Sequence, residues 1–149
     1  MKKALLYSVL ITSMFLTGAC TFNNVYLNRE DDNSEGKVFL NKLYSNITNK
    51  NYEGVDEMVG DSLKQLAGSN GISKMMKFIN SKVGNYKSYI IDDYYIRCVT
   101  GSNNETSYNY KLKVIYDKGT IDEIIGMRKQ NGTGIKINSY HANSDLLVH

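Results

Sequence analysis

The reactive residue with the most informative neighbours is Cys20, one of two cysteines in this sequence of 149 residues. It follows the small residues Gly18 and Ala19, at the end of an uncharged, largely apolar run that begins at Ala4. Lysines occupy positions 2 and 3, ahead of that run. A charged start, a short apolar middle and small residues at the end are typical of a secretory signal peptide. A membrane-spanning helix would need about 20 apolar residues, which is more than this run supplies.

The stretch Leu16-Thr17-Gly18-Ala19-Cys20 resembles the lipobox of bacterial lipoproteins. The resemblance implies that the Cys20 sulfur receives a diacylglyceryl group, that residues 1–19 are removed and that Cys20 becomes the N-terminus. It therefore implies an extracytoplasmic protein held to a bacterial membrane by lipid. Thr21 after the cysteine permits sorting to the outer membrane in a cell with two membranes.

The chain after the signal is expected to form one domain, preceded by a tether. Residues 21–35 are rich in Asn and Asp and have few apolar residues, so they are predicted to be a flexible linker spanning roughly 20 Å. Residues 20–35 are thus the lipidated cysteine and its tether, and residues 36–149 a single domain of ordinary size.

The remaining composition excludes several classes of site. With Cys20 lipidated, Cys98 has no partner for a disulfide, and its apolar run predicts a buried thiol. The two histidines lie near the C-terminus without a Cys/His ladder, so neither a zinc site nor another cofactor is expected. Of 18 Lys+Arg against 15 Asp+Glu, two lysines lie in the signal, and the near-neutral remainder shows no basic stripe for nucleic acid.

Apolar periodicity predicts helices in the first half of the domain. Steps of three and four residues from about Lys37 to Asn49 predict one amphipathic helix, and a similar stripe follows from Asn51 to Leu66, with a possible break at residues 60–62. A third helix is predicted after a turn at residues 68–71, and it ends at Gly84-Asn85.

From Tyr86 onward, β-branched and aromatic residues predict a meander of strands. A first strand is expected over residues 86–100, with a bulge around Asp92-Asp93-Tyr94. The second alternates cleanly, with Tyr108, Tyr110, Leu112, Val114 and Tyr116 on one face. Turns at residues 117–119 and at Asn131-Gly132 separate two further strands, and residues 143–149 are expected to be a loose tail. Helices followed by antiparallel strands predict an α+β fold with the helices on one side of a curved sheet.

This order of elements resembles the cystatin-like cone of the nuclear transport factor two superfamily. The resemblance is based on an opening helix followed by Lys50-Asn51-Tyr52-Glu53-Gly54-Val55, on the long-strand meander, and on Asn131-Gly132-Thr133-Gly134-Ile135-Lys136-Ile137 leading into the last strand. It covers about residues 35–140. It implies a wide-mouthed pocket on the concave face of the sheet, lidded by helices, and dimers formed sheet to sheet.

Some members of that superfamily are cofactor-free isomerases or dehydratases with an Asp or His inside the cone. Such chemistry needs a base and a donor to the developing oxyanion. The candidates are Asp92, Asp93 and His141 as the base, with Tyr94 or Tyr110 as the donor. Neighbouring Asp92 and Asp93 are expected on opposite strand faces, so at most one would enter the cavity.

The leading hypothesis is instead a non-catalytic binding domain for a small apolar ligand or a partner protein. Tyrosine is abundant, with 12 in the chain, and combines apolar area with a polar tip that suits both packing and binding. Tyr94, Tyr108 and Tyr110 are the residues predicted to line a pocket or contact a partner. A filled cone with an exposed tyrosine patch on the outer sheet would favour a partner protein. A deep cavity around an isolated carboxylate with a raised pKa would favour an enzyme.

Overall fold

The computed structural model describes residues 23–148, and Cys20 lies outside them. Four helices come between a short first strand and the main sheet. Their bounds are Glu30–Thr48 (α1), Tyr52–Glu57 (α2), Asp61–Ala67 (α3) and Gly71–Val83 (α4). No helix in this part of the chain has the length and apolar character needed to cross a bilayer.

Five antiparallel strands form a single curved sheet, in which each strand pairs with its neighbours in sequence. Their bounds are Asn24–Leu27 (β1), Tyr86–Thr100 (β2), Glu105–Tyr116 (β3), Gly119–Gln130 (β4) and Lys136–Asn143 (β5). The predicted α+β class, with helices packed against a curved antiparallel sheet, is confirmed.

The core lies between the helices and one face of the sheet. From α1, Leu40, Leu43 and Ile47 are buried, and the alternating residues of β3 face them, as the sequence pattern predicts. We call this the inner face and the opposite side the outer face. The connection between α2 and α3 also pairs with β5, because Gly60 N–H donates to the Ile137 carbonyl at 2.8 Å. The helical layer is thereby also fixed to the edge strand β5.

The segment after Cys20 differs from its prediction as a flexible tether. β1 and the first turns of α1 occupy most of residues 24–35, and α1 begins at Glu30 instead of near Lys37. β1 is held by pairing with Arg97–Thr100 of β2. The sequence of this four-residue strand, whose side chains are exposed, does not predict that long-range contact. The start of α1 is stabilised by acidic residues in its first turn and by the Arg29–Asp32 ion pair of 2.7 Å.

The C-terminal region also differs in detail. β5 continues to Asn143, and a 3₁₀ helix at Asp145–Leu147 replaces part of the expected loose tail. The bulge expected in β2 is present, with a register shift between Ile91 and Asp93.

Candidate functional site

A fully buried carboxylate, Glu123, is the most unusual chemical feature of the core. It lies on the inner face of β4. The Tyr44 hydroxyl donates to Glu123 Oε2 at 2.9 Å, and the Tyr116 hydroxyl donates to Oε1 at 2.9 Å. The Tyr140 hydroxyl is buried beside them. It lies close enough to lower the pKa of Glu123, but its geometry falls short of a hydrogen bond. We call Glu123, Tyr44, Tyr116 and Tyr140 the carboxylate–tyrosine cluster.

Burial dominates the electrostatics of this cluster. Removing the Glu123 carboxylate from water raises its pKa above the ordinary value of 4.5, and the hydrogen bonds from the tyrosines oppose that shift without cancelling it. Burial together with the nearby carboxylate also raises the pKa of the Tyr44, Tyr116 and Tyr140 phenols. The three phenols therefore stay protonated, and those of Tyr44 and Tyr116 act as donors.

Glu123 is absent from the acid–base candidates predicted from the sequence, although the alternation of β4 indicates that it faces inward. Ile121 and Ile125 are buried at alternate positions of β4, so Glu123 between them shares the inner face. A carboxylate at an inward position must find donors, and Tyr44 of α1 can be identified as one only from the fold.

Two of the predicted pocket residues, Tyr108 and Tyr110, form part of the core. Neither side chain is exposed, and each phenol is used by α1: Tyr108 donates to Glu35 Oε2 at 2.9 Å, and Tyr110 to Asn33 Oδ1 at 3.0 Å. Lys129 completes this group with an ion pair to Glu35. In this structure the two tyrosines hold the helix to the sheet and present no surface to a partner.

The third predicted residue, Tyr94, is half-buried on the inner face, where it pairs with Tyr110 and the two rings stack with centroids 6.0 Å apart. On the outer face, its neighbour Tyr95 is 48% exposed, Ile124 is 45% exposed, and Ile90 is 57% exposed. We call Ile90, Tyr95 and Ile124 the outer-face patch. Tyr94, Tyr95 and Ile124 all border a shallow depression of about 120 Å³ on this side of the sheet.

Charged residues lie between the members of the outer-face patch, because Lys111 and Lys113 of β3 separate Ile90 of β2 from Ile124 of β4. Asp92 forms ion pairs with Lys111 at 3.3 Å and with Lys113 at 3.8 Å. The patch therefore combines exposed apolar side chains with charged ones.

The predicted acid–base residues lie outside the core. Asp92 is the extra residue of the β2 bulge, so the expected alternation fails there, and both Asp92 and Asp93 are exposed. Asp93 accepts a hydrogen bond from Tyr94 N–H at 2.8 Å. His141 is exposed on β5 opposite Ile124. The structure does not bring these three residues together with the carboxylate–tyrosine cluster.

The remaining features offer less chemistry. The thiol of Cys98 is buried, as predicted, and accepts a hydrogen bond from the Arg29 guanidinium at 3.1 Å. A groove of about 350 Å³ runs between α3 and the β4–β5 hairpin, with Asp61, Arg128 and Lys136 along it. Among residues 23–148, no group of three or more His, Cys, Asp or Glu side chains is placed to hold a metal ion.

Comparison with known proteins adds no assignment to this geometry. No family model matches the chain, and no curated protein matches it.

Proposed function

We propose that this protein is a non-catalytic docking domain, anchored by lipid at Cys20 on the extracytoplasmic side of a bacterial membrane, that binds a partner protein through its outer sheet face. The single observation that supports docking most strongly is the contrast between the two faces of the sheet. The inner face is filled by the protein's own side chains, whereas the outer-face patch leaves Tyr95, Ile124 and Ile90 about half exposed.

The filled inner face favours a partner protein over a small apolar ligand. Tyr108, Tyr110, Leu112 and Ile125 occupy the concave side where the cone of the resembled superfamily holds its ligand, and none of them is exposed. Helices packed on one side of a curved five-stranded meander support membership in that superfamily, as a member whose pocket is closed by its own residues.

The outer-face patch has the composition of a docking surface. Tyrosine is enriched among the residues that dominate binding energy, and Tyr95 is exposed here together with two aliphatic side chains. The charged group formed by Lys111, Lys113 and Asp92 would set the orientation of the partner through charge complementarity.

The isomerase or dehydratase alternative receives less support. Glu123 has the raised pKa that a catalytic acid needs, but its carboxylate is enclosed by Tyr44, Tyr116 and the surrounding core, with no exposed surface. A general base must lie within hydrogen-bond reach of its substrate, and a substrate has no path to this group in the structure.

Site-specific photo-crosslinking in living cells tests the docking proposal. A photoreactive amino acid at Tyr95 or Ile124 is expected to give a discrete adduct with one other protein. The control is the same amino acid at Val38, which is apolar and 69% exposed but lies on α1. An adduct of twice the chain's mass would identify a dimer instead, and equal labelling from Val38 and Tyr95 would contradict a specific outer-face site.

A Cys20→Ala variant tests the anchor separately. The wild-type protein is expected to sediment with membranes and to require detergent for release. The variant is expected to lose that association while the domain, whose described residues begin at Asn23, remains folded. Equal membrane association of the two proteins would contradict the lipid anchor if intact mass shows that residues 1–19 are absent from both.

A further inference from the structure

The point at which the chain enters the fold is fixed at one end of the sheet. Asn24 of β1 is paired with Thr100, the last residue of β2. Just before it, Asn23 Oδ1 accepts hydrogen bonds from Ser102 N at 3.3 Å and from Ser102 Oγ at 3.4 Å. The described part of the chain therefore begins beside the β2–β3 loop.

The distance from this point to Cys20 is short. Three residue steps separate Cys20 from Asn23, and a fully extended chain covers at most about 11 Å in three steps. The headgroup zone of one leaflet is roughly 5–8 Å thick, given a hydrocarbon core of about 30 Å within a bilayer of about 40–45 Å. When the lipid on Cys20 lies in the bilayer, Asn23 can therefore be at most a few ångströms above the headgroups.

Two loops form the end of the sheet nearest to Asn23. Residues 101–104 join β2 to β3, and residues 131–134 lie between β4 and β5. The loops are joined by a hydrogen bond of 2.9 Å from Asn131 N–H to the Asn104 carbonyl. We call these eight residues the anchor-side end. They are Gly101, Ser102, Asn103, Asn104, Asn131, Gly132, Thr133 and Gly134, and all are exposed.

The anchor-side end has a composition suited to a polar lipid surface. None of its residues is charged, so it meets no repulsion from lipid phosphates, and none is large and apolar, so nothing drives it into the hydrocarbon. Its Asn, Ser and Thr side chains can donate to phosphate and ester oxygens and accept from headgroup donors. The opposite end differs, because Asp117 and Lys118 form its β3–β4 turn and Lys87 pairs with Asp117 at 2.7 Å.

From these observations we infer that the anchor-side end rests on the lipid headgroups, with the strands standing away from the membrane. This inference rests on the proposed lipid at Cys20. β3 has 12 residues, so the Asp117–Lys118 turn lies roughly 36 Å from the anchor-side end along the strand. The outer-face patch then faces sideways, and its partner must itself lie close to the membrane.

Lipid-proximity quenching tests this orientation. Lipidated protein is reconstituted into vesicles of phosphatidylcholine and phosphatidylglycerol that contain a lipid with a nitroxide on its headgroup. A fluorescent thiol probe is attached to Asn103→Cys or, in the matched control, to Lys118→Cys. The thioether at Cys20 does not react with the probe, and Cys98 is only 5% exposed. Quenching at Asn103→Cys is expected to exceed that at Lys118→Cys severalfold.

A second arm separates this inference from the proposed anchor. Fifteen added Gly and Ser residues between Phe22 and Asn23 are expected to reduce quenching at Asn103→Cys to the level at Lys118→Cys. Equal quenching at both positions without the insertion, or no change with it, would overturn the orientation if intact mass shows the lipid on Cys20. A mass without that lipid would overturn the anchor, and the orientation with it.

Discussion

Substituting the buried carboxylate by its amide, Glu123→Gln, tests the electrostatics of the core. Because burial raises the pKa of Glu123 in the folded protein, the folded state holds its proton at pH values where the unfolded state has released it. Below the ordinary pKa of 4.5 both states are protonated and this group's contribution to stability is fully present. As the pH rises from there through the folded pKa, the wild-type protein loses that contribution, whereas the glutamine variant does not.

The magnitude follows from linkage. While the folded state holds one more proton than the unfolded state, the free energy of unfolding falls by up to about 1.4 kcal/mol for each pH unit. The stability of the variant relative to the wild-type protein is expected to be lowest at and below pH 4.5 and to increase as the pH is raised. The amide is uncharged at every pH in this range and keeps an acceptor for one tyrosine.

Urea unfolding followed by circular dichroism, repeated at intervals from pH 4 to 8, measures this difference. Glu105→Gln is a matched control, because hydrogen bonds from Gln130 and Ser107 and the charge of Arg128 lower the pKa of Glu105. Its contribution is present above the ordinary pKa and is lost as the pH falls, so its dependence has the opposite sign. A stability of Glu123→Gln relative to wild type that stays flat, or that falls with rising pH, would refute the reasoning.

Removing the acceptor altogether gives a second measure of the same cluster. In Glu123→Leu the hydroxyls of Tyr44 and Tyr116 stay buried without an acceptor, at a cost of about 1–3 kcal/mol for each. Adding Tyr44→Phe and Tyr116→Phe is expected to recover a large part of that loss. If the phenylalanine changes only add to the loss, the hydroxyls are not the source of the cost.

Three further predictions concern packing and accessibility. Gly36→Ala is expected to destabilise the protein by about 1–2 kcal/mol although alanine favours helices, because the new Cβ meets the Tyr110 hydroxyl and ring. This loss of stability, measured by urea unfolding, should be smaller in a Tyr110→Phe background. Gly84→Ala is expected to lower the thermal midpoint, because φ is +85° and the new Cβ would lie 2.6 Å from Asp117 Cβ. Cys98 is expected to react with a thiol reagent in urea but only very slowly in buffer, since it is 5% exposed.

Controls make these outcomes decisive. Gly132→Ala has a similar positive φ of +76° but nothing within 4 Å of the new Cβ, so it should cost less than Gly84→Ala. A Gly36→Ala variant more stable than wild type would contradict the close packing of α1 on β3. Rapid labelling of Cys98 in buffer would contradict its burial.

The sequence predicted the sheet well where one face is buried along the whole strand. Alternation from Tyr108 to Tyr116 identified β3 and its inner face, because each of those residues faces the same core. The bulge at Asp92 was expected, but its effect was not: the extra residue leaves both Asp92 and Asp93 exposed. Alternation therefore does not predict side-chain direction across a bulge.

Long-range contacts explain what sequence reasoning missed. β1 is a strand because Arg97–Thr100 offers it an edge, and no local pattern in Asn24–Leu27 shows that. Tyr108 and Tyr110 were expected at a binding surface, yet acceptors on α1 satisfy their hydroxyls inside the core. A polar tip on an inward tyrosine predicts a hydrogen-bond partner, and only the fold decides whether that partner is internal or another molecule.

Intact-mass analysis of the protein extracted from membranes is the most direct test of the proposed lipid anchor. The expected mass is that of residues 20–149 with a diacylglyceryl group on Cys20, and Cys20→Ala should lack that addition. A chain that carries residues 1–19 and an unmodified Cys20 thiol would contradict the anchor, and with it the placement of the domain at the membrane surface.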